Sequence, residues 1–240
     1  MILRGSGRLN TPHCQRAPVS IEILESCFAS LDLLNPQTKR YGGGVLCQAF
    51  VFLLRRPEIV ATSGARFQWF ALKDQEVAVT DANGAATEGR DRAHMPQRSK
   101  TNQGGAPTAR MMTRSDHSHL CPVLGTLLLK QSRRGLLPDI PVAFTNASGH
   151  PCCVSATRVS SAIRDAARAI GEDPTRFGTP SLRAGGATNM YRAGIDTLTT
   201  PFHGRWTSDA VKLYTRLCSE LVSAISTKVV SGAKGSTVLQ

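Results

Sequence analysis

Tyrosine is scarce in this 240-residue chain, with only Tyr41, Tyr191 and Tyr214 beside two tryptophans and eight phenylalanines. Chemistry that needs a phenolic oxygen therefore has three places to start. Acidic residues are also few: 17 Asp and Glu against 29 Lys and Arg give a formal charge of +12 and a pI near 9.9. Such a balance disfavours a cationic partner and favours a polyanion such as nucleic acid. No C-x-x-C pair occurs among the seven cysteines, and their number is odd, which excludes a simple disulfide framework and predicts reduced thiols in an intracellular protein. Long apolar runs are missing too. The longest, Val45 to Leu54, is broken by Gln48 and is too short to cross a bilayer, so no membrane association is expected. Met1 to Ala17 lacks an apolar core followed by a cleavage site, which argues against a secretory signal. There is no internal repeat and no long low-complexity tract.

What is present patterns mainly as helix. Residues 1–17 are rich in Gly, Arg and Pro without periodicity and are expected to be disordered. Ser20 is placed to cap a helix over 21–32, with Ile21, Leu24, Phe28 and Leu31 on one face. A second helix, apolar nearly all round, is predicted from about Gly43 to Arg55 and must end before Pro57. Residues 67–72 and 76–80 read as short strands, and T108-A-R-M-M-T113 completes a small antiparallel sheet; the segment from Ala85 to Arg98 is polar and charged. Pro122 opens a helix with basic residues in its last turn. An extended piece at 142–145, a helix capped by Ser155 and ended by Gly171, and a helix over about 181–192 with Thr179 as N-cap and Pro180 at N1 follow. A short helix near Thr197 and another over 208–217 complete the pattern. The fold class expected is α+β, mostly helical, with one small sheet.

Four features converge on phosphate chemistry. They are an arginine pair, Arg55 and Arg56, after a buried helix; Lys100 in a polar segment between candidate strands; Arg183 before Ala-Gly-Gly; and the late Tyr214. Arginine grips phosphate bidentately and stays charged. A lysine can donate a proton and a tyrosine can attack phosphorus. Together they suit phosphodiester transfer without metal or cofactor.

At these residues the chain resembles the tyrosine recombinase (phage-integrase) superfamily, in particular the recombinases of Crypton-like eukaryotic mobile elements. The resemblance rests on F52-L-L-R-R-P-E-I59, S99-K-T-N-Q103, L120-C-P-V123, S181-L-R-A-G-G-A187 and H203-G-R-W-T-S-D-A-V-K-L-Y214, spread in order over about residues 18–218. It implies the tyrosine-recombinase catalytic-domain fold and a site in which Arg55, Arg183 and Arg205 bind the scissile phosphate. Arg56 is a less favoured choice than Arg55, because Glu58 stands three residues after Arg55. Lys100, on the turn of a β-hairpin, is implied as general acid, and Tyr214 as the nucleophile of a 3'-phosphotyrosyl intermediate. Gly204 and Tyr214 keep the family spacing, which puts Arg205 at the His/Trp position unless a one-residue gap brings Trp206 there. His203 falls one residue before the glycine and is expected at the surface. The resemblance further implies double-stranded DNA as partner, a homo-tetramer on two duplexes and a nuclear location; a tail is expected over 219–240, and the family's N-terminal core-binding domain is expected to be missing.

The sequence departs from the family pattern where H-x-x-R becomes Pro180-x-x-Arg183. Proline suits the first turn of a helix but has no ionisable group. Pro96, just before Lys100, cannot donate to a central ladder. Both departures predict impaired DNA cleavage and rejoining, and leave a catalytically inactive DNA-binding protein as the alternative. H117-S-H-L-C121 and H150-P-C-C153 carry zinc-ligand types at a spacing that matches no familiar four-ligand site, so no metal is expected.

Overall fold

The computed structural model describes residues 16–31, 36–81, 92–97, 108–133, 135–147, 150–196 and 199–206. Lys100, Tyr214, the helix expected over 208–217 and the tail over 219–240 lie outside the described residues, as do residues 1–15.

The chain enters as an extended strap rather than a loose end at Ala17. The Ala17 N–H donates to Arg176 O at 2.8 Å and the Val19 N–H to Ser181 O at 3.1 Å, with both side chains buried. Helix α1 (Ile21–Ser30) starts where Ser20 Oγ accepts the Ile23 N–H at 3.2 Å, and buries Ile23, Leu24, Cys27 and Phe28. Helix α2 (Pro36–Val51) is buried throughout 43–50. Its polar interruption has a use: Gln48 Nε2 donates to Pro122 O at 2.7 Å and to Thr126 Oγ1 at 3.1 Å, tying α2 to α4 (Pro122–Gln131). One turn of helix, α3 (Arg56–Ile59), follows α2.

The sheet is three-stranded and antiparallel in the order β1 (Ala78–Thr80), β2 (Arg92–Gln97), β3 (Thr108–Thr113). Two expectations change here. Residues 67–72 form no strand; the run is buried at Phe70, Ala71 and Leu72, and its backbone is satisfied by Leu72 N–H to Glu58 O at 2.8 Å and Val142 N–H to Leu72 O at 2.7 Å. The strand expected over 76–80 begins two residues late because Asp74–Glu76 make a 3-10 turn. Conversely the polar stretch around 92–97 is the central strand, with Ala93 and Met95 fully buried. Pro96 is tolerated in it because β1 pairs only as far as His94, so the end of β2 has β3 alone beside it.

A hairpin of β4 (Phe144–Ala147) and β5 (His150–Cys153) leads into α5 (Ala156–Ala169), capped by Ser155 and closed at Gly171 with φ of 82°. Helix α6 (Pro180–Arg192) has Pro180 at N1 as expected, but Thr179 is itself helical and makes no side-chain cap. Its hydroxyl donates to Ala156 O at 3.0 Å and pairs with Ser160 Oγ at 2.9 Å, which joins the start of α6 to α5. A short α7 (Thr199–Gly204) completes the described chain. Cys27, Cys47 and Cys121 are buried and free, and desolvation pushes Cys27 up to about 12, which suppresses its reactivity.

Helix α6 is the axis of this arrangement, since every residue from Ser181 to Thr188 is buried. Two consecutive glycines make that possible. A Cβ on Gly185 would strike the Val19 carbonyl of the entering strap, and one on Gly186 would strike the Phe50 carbonyl of α2. Both obstacles are backbone, which cannot swing aside. Gly186→Ala is therefore expected to lower folding stability by about 1–3 kcal/mol despite the better helix propensity of alanine. Thermal or urea unfolding of the variant checks this; an unchanged or raised midpoint contradicts the packing described.

Candidate phosphate-binding site

The ends of three helices meet around Arg183. Helix α2 ends in a Schellman turn, in which Leu54 N–H reaches Ala49 O at 3.0 Å and Leu53 takes a left-handed φ of 50°. Helix α7 ends the same way, with Trp206 N–H on Pro201 O at 3.0 Å and Arg205 at φ of 57°. Neither left-handed residue is a glycine, so each turn carries a steric cost of about 1–2 kcal/mol. Arg183 bridges them. Its Nη1 donates to Leu53 O at 2.7 Å, its Nη2 donates to Gly204 O, and its guanidinium lies over the Trp206 ring, 4.2 Å from the centroid. The side chain is buried, so its charge is held by helix-end carbonyls and an aromatic face rather than by water.

One carboxylate sits among the arginines. Glu58, buried on α3, takes Arg205 Nη2 on Oε2 at 2.7 Å and accepts the Arg55 N–H on the same oxygen at 2.7 Å. Its Oε1 stands 3.6 Å from Arg55 Nη1. The spacing Arg55-x-x-Glu58 is thus half of a capping box, in which the acid at N3 returns to the N-cap backbone. Arg55 is half-exposed, whereas Arg56 points outward.

Two members of the cluster were not among the expected site residues. Arg110 on β3 is buried; its Nη2 donates to Phe202 O and its Nε to His203 O at 3.4 Å, with the guanidinium 4.4 Å from the Phe202 ring centroid. The signal was an arginine on the same face of the strand as Met112. His203, expected at the surface, is instead buried: its ring stacks against Phe52, and Nε2 donates to Val51 O at 2.9 Å. A carbonyl can only accept, so the proton resides on Nε2.

The structure therefore brings Arg55, Arg183, Arg205 and Trp206 together with Arg110, His203 and Glu58. Trp206 packs so closely under Gly204 that a Cβ there would overlap its ring. Pro180 lies exposed at the start of α6, one turn before Arg183. Lys100 and Tyr214 fall outside the described residues, respectively between β2 and β3 and eight positions beyond Trp206. Among the described residues no group of His, Cys, Asp and Glu is arranged to hold a metal ion, and no described helix is long and apolar enough to cross a membrane.

No protein-family model matches the chain, and no curated protein matches its sequence. Solved structures do. The site-specific recombinase XerH bound to its difH substrate superposes with a TM-score of 0.58 at 14% identity, covering 95% of this chain and 56% of that one. XerA recombinase superposes with a TM-score of 0.56 at 15% identity over 92% of this chain. The chain has the tyrosine-recombinase catalytic fold. The Tn1549 transposon integrase with circular intermediate DNA is a further neighbour, at a TM-score of 0.50 and 13% identity. At these identities the likeness is one of fold, and the chain spans little more than half the length of XerH.

Within this recombinase fold, His203 titrates in an unusual setting. Burial pushes its imidazole below the ordinary 6.5, and the nearby charges of Arg110, Arg205 and Arg183 act the same way, against the hydrogen bond to Val51 O. A histidine kept neutral in the folded state but free to protonate in the unfolded one contributes stability fully present above the unfolded pKa. That stability is lost as pH falls below about 6.5 toward the folded value. Unfolding free energies from urea titrations between about pH 7.5 and pH 5.5 should fall with a slope of up to about 1.4 kcal/mol per pH unit, and His203→Asn should flatten that slope. An identical slope in the variant would assign the loss to other groups.

Proposed function

We propose that the chain cleaves and rejoins DNA strands through a phosphotyrosyl intermediate, as the catalytic part of a recombinase similar to those of Crypton-like mobile elements acting in the nucleus. The observation that supports this best is the convergence of Arg55, Arg183, Arg205 and Trp206 from separate parts of the chain onto one place within the recombinase fold. A scissile phosphate entering this cluster would meet Arg55 and Arg205, whose charge Glu58 balances until then. Arg183 would add charge from behind while holding the turn that presents Arg205 and Trp206. Donors fixed in this way lose little on reorganisation as negative charge builds on the non-bridging oxygens.

In the proposed step the Tyr214 oxygen attacks phosphorus and the bond to the 5' oxygen breaks. The tyrosine gives up its proton to water, and the departing 5' oxygen takes one from Lys100. Attack on the phosphotyrosyl link by another 5'-hydroxyl reverses the sequence and rejoins the strand, so no nucleotide cofactor is consumed. A synaptic tetramer belongs to the same proposal.

Pro180 favours a second reading. It occupies the position of the histidine in H-x-x-R and offers neither a proton nor a lone pair, and loss of one acid–base participant costs on the order of 10²- to 10⁴-fold. A DNA-binding protein that retains the arginine cluster without turnover fits that substitution.

Nicked duplex DNA, which releases the cleaved end and blocks religation, separates the two readings. The enzyme reading expects a covalent protein–DNA adduct that is lost in Tyr214→Phe and raised in Pro180→His. DNA binding without an adduct in either the native chain or Pro180→His would leave the inactive reading standing.

A further inference from the structure

A second arginine-rich basin lies beside the cluster. It is an open cavity of about 520 Å³ with Arg56, Thr62, Thr157, Ser160, Arg164 and Arg168 on its walls. Arg56 follows Arg55 directly, so adjacent residues at the start of α3 serve the two places. Two further links fix their relation: Ala61 and Ser155 form a parallel bridge from the exit of α3 to the start of α5, and Ser160 is bonded to Thr179, the residue before Pro180.

The chemistry of these walls is that of a phosphate ligand set, guanidinium and hydroxyl together. Arg164 is half-buried and oriented, since its Nε donates to Phe177 O at 3.1 Å while its Nη groups make no described hydrogen bond. The first turns of α5, which carry Thr157 and Ser160, add the favourable end of a 14-residue helix dipole. The single carboxylate in the basin, Asp165, is bonded to Arg168 Nη1 at 2.8 Å and receives Ser161 Oγ at 3.3 Å. It steadies Arg168 without cancelling the three positive charges.

Resting on the DNA reading above, we infer that this basin binds a backbone phosphate of the same duplex, at a distance along the strand from the phosphate in the Arg183 cluster. The wall is open on one side, as a polymer passing through requires, and it lies on the side of the molecule where α6 begins. Such a contact carries charge but no sequence information and sets the register of the duplex on the protein. It is distinct from the cleavage chemistry.

The test compares the native chain with Arg164→Ala/Arg168→Ala and with Thr157→Glu, whose exposed position places a negative charge in the basin without removing a packing contact. Binding of a fluorescent duplex is measured by anisotropy from low to moderate salt, and thermal midpoints verify folding. Each variant is expected to weaken binding roughly tenfold at low salt and to lower the slope of log Kd against log salt by about 1 or more. Adduct yield on nicked DNA at saturating duplex should remain that of the native chain. Equal affinities and equal slopes across folded variants would overturn the basin as a phosphate site. Reduced slopes with no adduct in the native chain would instead overturn the cleavage reading and leave the basin standing.

Discussion

A single buried guanidinium organises this molecule. Arg183 projects from the buried stretch of α6 and closes hydrogen bonds onto the carbonyl ends of two other helices, α2 through Leu53 and α7 through Gly204. Helix C-termini present unsatisfied carbonyls and a partial negative charge, which a fixed cation answers. Both ends turn through left-handed residues with side chains, Leu53 and Arg205. The strain in those turns is offset by charge-assisted bonds worth about 1.5–3 kcal/mol each. The glycine pair after Arg183 serves the same end, letting α6 press against the backbones of α2 and the entering strap so that the guanidinium reaches both turns.

From that brace the charge arrangement follows. Holding α7 beside α2 places Arg205 next to Glu58 and Trp206 over Arg183, while Arg110 on β3 also secures the end of α7, through the Phe202 and His203 carbonyls. Four arginines and one buried carboxylate are a poor arrangement for stability alone, because like charges repel and desolvation is costly. It suits an incoming dianionic or monoanionic oxygen cluster. Arg110 registers the tension: burial and the charge of Arg205 push its guanidinium below the usual value. His203 responds in the same direction, remaining neutral among them.

Most helix starts were legible in the sequence because their signals are local, but α2 was not placed well: it runs over Pro36–Val51 where about 43–55 was expected, and Pro57 lies inside the separate turn α3. Ser20, Ser155, Pro122 and Pro180 all stand at helix beginnings, and Gly171 ends α5. The strands were less so. The apolar run at 67–72 has strand composition but finds no sheet partner, whereas the true central strand hides its alternation of Ala93 and Met95 among Arg92, His94 and Pro96. Strand identity is decided by pairing far along the chain, which composition does not encode. For the site, Arg55, Arg183, Arg205 and Trp206 were recognisable from motif order, and the structure gathers them. Arg110 and His203 were not, since their roles come from contacts with α7 and α2 that no local pattern announces. Thr179 had the right type for an N-cap, yet its hydroxyl is used between helices.

The claim that Arg183 braces the two helix ends is tested most directly by the unfolding free energy of Arg183→Lys without DNA. A lysine keeps the charge, but its three donors sit on one nitrogen in place of a planar fork, so it does not span two carbonyls held by separate guanidinium nitrogens. The account predicts a loss of about 1.5–3 kcal/mol, the scale of one charge-assisted hydrogen bond. Stability equal to that of the native chain would contradict it, and would mean that the two helix ends hold their positions without Arg183.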